Sequence, residues 1–267
     1  MKILIINGSA HKGNTWKLVE EAKRCLSEYD EEVTFEEIHL IEEKIPFCIG
    51  CSNCFRNGHE KCPHYNVISK IIEKIENVDG IIFATTTYNM RETALLKNLF
   101  DHFCFMLHRP RFFKSKALVI STTGGIGGRA AVKSVKGTLM GIGFNRCYMF
   151  SKASFSWNAY VPDSKTLVYL KKVVEKFYKD VKTKKLHNPK VALLIPYNLF
   201  RGMSLAYVPG TDYETEDGVY WTDTCRKNLV YAPGIKVAFY KKPIGHLFYW
   251  IGMVAGNMKR MQVTYKK

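Results

Sequence analysis

Residues 2–15 read Lys2-Ile3-Leu4-Ile5-Ile6-Asn7-Gly8-Ser9-Ala10-His11-Lys12-Gly13-Asn14-Thr15. The aliphatic run at residues 3–6 breaks into a small, polar loop, which feeds a segment with helical spacing. A strand that is apolar on both faces belongs to a parallel sheet covered by helices on each side. A strand, a tight loop and a helix start together make an anion site. The unpaired N–H groups of the first turn and the positive end of the helix dipole point into the loop. Gly8 and Gly13 let the backbone approach a phosphate closely. Ser9, Asn14 and Thr15 can donate side-chain hydrogen bonds or cap the helix. The stretch is neither Gly-x-Gly-x-x-Gly nor Gly-x-x-x-x-Gly-Lys-Ser/Thr, because Lys12 precedes Gly13 instead of following it. It therefore favours a mononucleotide phosphate over a triphosphate. Taken alone, the loop also reads as an ordinary strand-to-helix turn capped by Asn14.

Outward from this stretch the alternation continues. Residues 33–40, 78–84, 117–121 and 146–150 have strand character, and residues 15–26, 67–75, 92–107, 130–140 and 164–184 have helical spacing. Five strands with helices between them imply an open α/β sheet, parallel and wound on both faces. In such sheets a ligand sits outside the carboxyl ends of the strands. Three loops belong there by position: residues 8–15, 85–90 and 122–128. All three are rich in small, hydroxylated or glycine residues.

Residues 1–186 thus form one domain, and residues 187–267 break the alternation as a C-terminal extension. Within it residues 191–196 read as a strand. Residues 243–258 read as an apolar helix flanked by Lys241, Lys242, Lys259 and Arg260. That segment is short for a membrane span, which needs about 20 residues. The favoured reading is a helix packed on the core or on a second subunit. The alternative is an interfacial helix, in peripheral membrane contact through its basic flanks and aromatic anchors.

At 267 residues, 46% of them hydrophobic, the chain can bury a full core. The formal net charge of +16 attracts anions, but the basic residues are spread along the chain without a nucleic-acid motif, so no nucleic-acid partner is expected. The first residues carry no signal segment and the expected location is cytoplasmic. The eight cysteines then read as reduced thiols or metal ligands, not as a disulfide framework.

Four of them are compact: Cys48, Cys51, Cys54 and Cys62, the last followed by Pro63. Bacterial ferredoxins use a run of this kind ending in Cys-Pro, and such spacers let a backbone curl around a [4Fe–4S] cube. Four thiolates also suit structural zinc, and free thiols beside a core-packing Ile49 and Phe55 are a third reading. Cys25, Cys104, Cys147 and Cys225 are isolated; Cys104 and Cys147 read as core residues. His64 reads as a loop residue.

These motifs together resemble a known family. Gly8-Ser9-Ala10-His11-Lys12-Gly13-Asn14-Thr15 is similar to the phosphate loop of the NADPH-dependent FMN reductases, usually Gly-Ser-Pro-Arg-Lys-Gly-Asn-Thr. Cys48, Cys51, Cys54 and Cys62 resemble the compact cysteine motif of its iron–sulfur flavoprotein branch. Residues 85–88 and 96–101 resemble the second flavin loop and its helix, and residues 122–128 the third loop. The sequence departs from the pattern at Ala10 and His11, where Pro and Arg are usual, and at Thr86, where Pro is usual. The resemblance covers about residues 1–150 and leaves the extension unexplained.

It implies a flavodoxin-like fold binding FMN, often in a homo-oligomer, with NAD(P)H as electron donor. Ser9, Lys12, Asn14 and Thr15 would hold the phosphate. Thr85, Thr86, Thr87, Tyr88 and Asn89 would border the isoalloxazine ring. Thr123, Gly124 and Gly125 would supply backbone donors to its pyrimidine side. The flavin carries the chemistry, so no side chain need be an acid or base. Two functions stay open. One is an NAD(P)H-dependent oxidoreductase acting on a quinone, nitro compound or other small-molecule acceptor. The other is an iron–sulfur flavoprotein that carries electrons to a protein partner.

Overall fold

The computed structural model describes residues 1–258; Lys259 and Arg260, two of the basic flanks noted above, lie outside the described residues. In chain order its elements begin β1 (Lys2–Asn7), α1 (Asn14–Tyr29), β2 (Thr34–His39), α2 (Asn53–Arg56), α3 (Tyr65–Glu76) and β3 (Gly80–Thr86). Then come α4 (Ala94–His102), α5 (Phe105–His108), β4 (Lys116–Thr123), α6 (Gly128–Gly141), β5 (Arg146–Ala153) and α7 (Ser164–Lys182). The five strands form one all-parallel sheet in the order β2-β1-β3-β4-β5. The strand order reverses between β1 and β3, the position beyond whose carboxyl ends open sheets of this kind bind their ligands.

The aliphatic run of β1 has no exposed residue because alternate side chains enter two different cores. Leu4 and Ile6 join Ile81, Phe83, Ala117 and Val119 under α3, α4 and α6. Ile3 and Ile5 join Ile82, Ala84, Leu118 and Ile120 under α1 and α7. This two-sided burial is what a continuous apolar strand predicts.

The expected helix over residues 92–107 is two helices. α4 stops at His102, where the Phe103 N–H is shared between Leu99 and Phe100 carbonyls, and α5 restarts at Phe105. Cys104 lies at this break and is only partly buried, so the core role read for it is corrected.

The extension is helical: α8 (Val191–Met203), α9 (Glu216–Thr222) and α10 (Lys242–Gly256). The expected strand at residues 191–196 is the first half of α8, with Pro196 inside the helix. A short apolar run carries no period that separates a strand from a buried helix. Leu194, Tyr197, Trp221, Val230 and Tyr231 build a third core, and α10 packs along α8. No helix of the described residues is long and apolar enough to cross a membrane.

Candidate functional site

At the carboxyl rim, Ser9, Thr15, Thr86 and Thr122 bring four hydroxyls together. Ser9 Oγ lies 3.0 Å from Thr86 Oγ1 and accepts from the Thr86 N–H at 3.1 Å. Thr15 Oγ1 lies 3.3 Å from Thr86 Oγ1 and 2.6 Å from Thr122 Oγ1. The loop that carries Ser9 is fixed from below. Gly8 N–H donates to Ala84 O, Gly8 O accepts from the Thr93 hydroxyl, and Ser9 N–H donates to Asn7 Oδ1. A Cβ on Gly8 would stand 2.7 Å from Leu96 Cβ, so only glycine lets the loop lie against α4. α1 opens on Gly13 with no side-chain cap and no acidic residue in its first turn. Its first N–H groups therefore face the hydroxyl cluster free of a competing carboxylate.

The other residues expected in the phosphate loop have partners elsewhere. Lys12 extends outward, its Nζ 3.4 Å from Glu37 and 4.7 Å from the Trp16 ring centroid. Asn14 Nδ2 donates to the Ser156 carbonyl at 2.9 Å, and its Oδ1 accepts from the Tyr160 N–H at 3.4 Å. Asn14 thus clamps the segment after β5 onto the rim. That segment, with Phe155 and Trp157 largely exposed, escaped the sequence reading. Its place after the last strand was the available signal.

In the second loop Thr85 and Thr87 face inward. Thr85 Oγ1 accepts from the Thr93 N–H at 3.0 Å, and Thr87 Oγ1 lies 2.8 Å from Ser121 Oγ. Thr86 alone of the three points to the cluster. Tyr88 and Arg91 exchange backbone hydrogen bonds around Asn89 and Met90, whose φ values of 48° and 63° are left-handed. Such a turn holds Tyr88 out in solvent, 57% exposed. The third loop packs against this turn: a Cβ on Gly127 would meet Met90 Cα at 3.0 Å. Gly124 and Gly125 are exposed, while Thr123 is buried with its hydroxyl donated to the Ile126 carbonyl. The rim thus brings together hydroxyl donors from the loop after β1 and from α1, β3 and β4, exposed glycine backbone at Gly124 and Gly125, and the exposed aromatic Tyr88.

The cysteine loop lies beside α4. Cys48 and Cys51 are exposed, and Cys54 and Cys62 half-buried. The Cys54 thiol is half-buried, and its interaction with the Cys104 thiol together with burial holds it far above the usual thiol range. The same interaction lowers Cys104 to about 7. Two adjacent thiolates repel, so the pair retains one proton. A ligand must be a thiolate, so binding a metal or cluster here would displace that proton. Burial also raises the Cys62 thiol. Among the described residues, one group of three His, Cys, Asp or Glu ligand atoms lies within 4.8 Å of one another, and it is Cys62, His64 and His102. His102 had no place in the sequence reading, being forty positions away in another element.

Residues 1–159 match the NADPH-dependent FMN reductase family. An iron-sulfur flavoprotein of Clostridioides difficile is 30% identical over 194 residues, covering 72% of this chain and 83% of that protein. An iron-sulfur flavoprotein of Archaeoglobus fulgidus is 37% identical over 101 residues, covering 38% of this chain and about half, 48%, of its own length. FerB, a flavoenzyme NAD(P)H:(acceptor) oxidoreductase from Paracoccus denitrificans, shares the fold with a TM-score of 0.50 at 22% identity, over 69% of this chain and 99% of that one.

Proposed function

Because the chain belongs to the NADPH-dependent FMN reductase family, we propose that it uses FMN, held at the carboxyl rim of the sheet, to oxidise NAD(P)H and reduce a quinone, nitro compound or other small acceptor. The observation that carries this reading is the meeting of the Ser9, Thr15, Thr86 and Thr122 hydroxyls with the uncapped start of α1. Bound FMN supplies the hydride and single-electron chemistry. The chain's own part is to bind and orient. Ser9, Thr15 and Thr86, with the first-turn N–H groups, receive the phosphate. Tyr88 and Asn89 border the ring. The backbone of Thr123, Gly124 and Gly125 offers donors where negative charge develops on the pyrimidine side. Tyr88, Ile126, Phe155 and Trp157 give the rim exposed apolar surface, which supports a second copy covering the site in a homo-oligomer.

The test is a fluorescence titration of flavin-free protein with FMN. One FMN per chain should bind, and Thr15→Val should weaken binding by about ten-fold or more, the loss of one or two charge-assisted hydrogen bonds. Absence of FMN binding by the unaltered chain would overturn the reading.

The naming of both relatives as iron-sulfur flavoproteins favours a second reading, an electron carrier with a cluster on Cys48, Cys51, Cys54 and Cys62. Protein purified without oxygen decides between the two. Stoichiometric iron and sulfide with broad visible absorbance support the carrier. A flavin spectrum alone, with NAD(P)H-dependent acceptor reduction, supports the enzyme.

A further inference from the structure

We propose that Cys62, His64 and His102 form a binding site for a single divalent metal ion of the zinc class. The three ligand atoms lie within 4.8 Å of one another, and they come from three places. Cys62 ends a 3-10 turn, His64 caps the start of α3, and His102 is the last residue of α4. Packing alone brings His102 to the other two.

The orientation of His102 is that of a prepared ligand. It is 4% exposed, and its Nε2 lies 2.8 Å from the Pro46 carbonyl. A carbonyl can only accept, so Nε2 carries the hydrogen and Nδ1 keeps the lone pair. A ring nitrogen that donates to a backbone carbonyl is the usual outer support of a metal-bound histidine. That carbonyl is itself held. Asn98, one turn earlier on the same face of α4, donates to Ile45 O at 3.0 Å and Pro46 O at 3.2 Å. The His64 ring stands edge-on to His102, with centroids 5.2 Å apart.

One thiolate and two neutral imidazoles suit Zn²⁺ or Co²⁺. With metal–sulfur and metal–nitrogen bonds of about 2.3 and 2.0–2.1 Å, tetrahedral ligand atoms stand about 3.3–3.6 Å apart. Each pair therefore needs to close by no more than about 1.5 Å. A water would complete the fourth position, as in three-ligand zinc sites. Metal binding would release the Cys62 proton and fasten the cysteine loop to the end of α4. The opposite end of that helix, through Thr93, holds Gly8 of the phosphate loop.

The experiment is an anaerobic cobalt titration of the full chain after chelator treatment, with FMN binding measured in parallel on every sample. The unaltered chain should take up one Co²⁺ with tetrahedral visible bands and a thiolate-to-cobalt charge-transfer band, and Zn²⁺ should bleach both. Cys62→Ser should remove the charge-transfer band. His102→Gln and the half-buried His64→Gln should each weaken binding at least about ten-fold, and Cys54→Ser should leave it intact. Retained FMN binding reports that the variants fold, and failure of FMN binding in all samples strikes the flavin reading without touching this one. The proposal is overturned if cobalt does not bind stoichiometrically. It is equally overturned if binding survives both histidine changes but is lost in Cys54→Ser, or if the purified protein holds an iron–sulfide cluster that both histidine variants retain.

Discussion

At the level of single residues, the sheet rim shows how one residue type serves two purposes. Thr85 and Thr87 turn inward to tie loops together, whereas Thr86, between them, presents its hydroxyl to Ser9 and Thr15. Strand alternation separates them, since neighbouring side chains point to opposite faces. The sequence marks all three as rim residues but not which one faces the hydroxyl cluster. Cys147, in β5, is wholly buried, and desolvation pushes its thiol up to about 12. Its folded value exceeds the unfolded one, so its contribution to stability is complete below about pH 9 and is lost as pH rises toward 12. The shift corresponds to about 4 kcal/mol. Denaturant melts from pH 8 to 11 should show stability falling less steeply in Cys147→Ala than in the unaltered chain. Equal slopes would refute this.

Among the elements, the packing of α8 against α10 depends on glycine. A Cβ on Gly252 would stand 2.4 Å from Leu199 O, and one on Gly202 only 2.2 Å from Tyr249 O. Here glycine serves close approach of two backbones, not a special dihedral. Gly252→Ala should destabilise the chain by about 1–3 kcal/mol, as overpacking does, read from the midpoint of chemical unfolding. An unshifted midpoint would mean that the helices do not meet as closely as described. The apolar pattern of residues 243–258 made this helix legible. Its partner was not, because the apolar run of α8 was short enough to pass for a strand. The outer stripe of α10, including Leu247, Trp250 and Val254, remains exposed.

Across the whole molecule, the extension docks on the flavodoxin-like domain through a polar latch at residues 108–110. Asp217 of α9 accepts from Arg109 Nη1 at 3.0 Å and lies 2.7 Å from His108 Nδ1. Trp221 Nε1 donates to the His108 carbonyl at 3.0 Å, and the Tyr220 hydroxyl to Pro110 O. Arg109 also reaches the Cys54 and Phe55 carbonyls, so the latch holds the cysteine loop and the extension together. Arg109 is 8% exposed, and removing its carboxylate partner strands a buried charge, at about 3 kcal/mol or more. Asp217→Asn should make residues after 187 the first to be cut in limited proteolysis while FMN binding persists. Unchanged cleavage would show that the apolar core around Trp221 holds the extension unaided.

The sequence by itself determined the parallel sheet, its five strands and the three loops at its rim. Those features follow from runs, periods and turns that neighbouring residues settle among themselves. Only the tertiary structure decided that Asn14 would grip the segment after β5, that Cys54 would pair with Cys104, and that His102 would meet Cys62 and His64. Each of those meetings joins residues far apart in the chain. Which side chains face one another there is set by how helices end and pack on the sheet, and no local pattern records it.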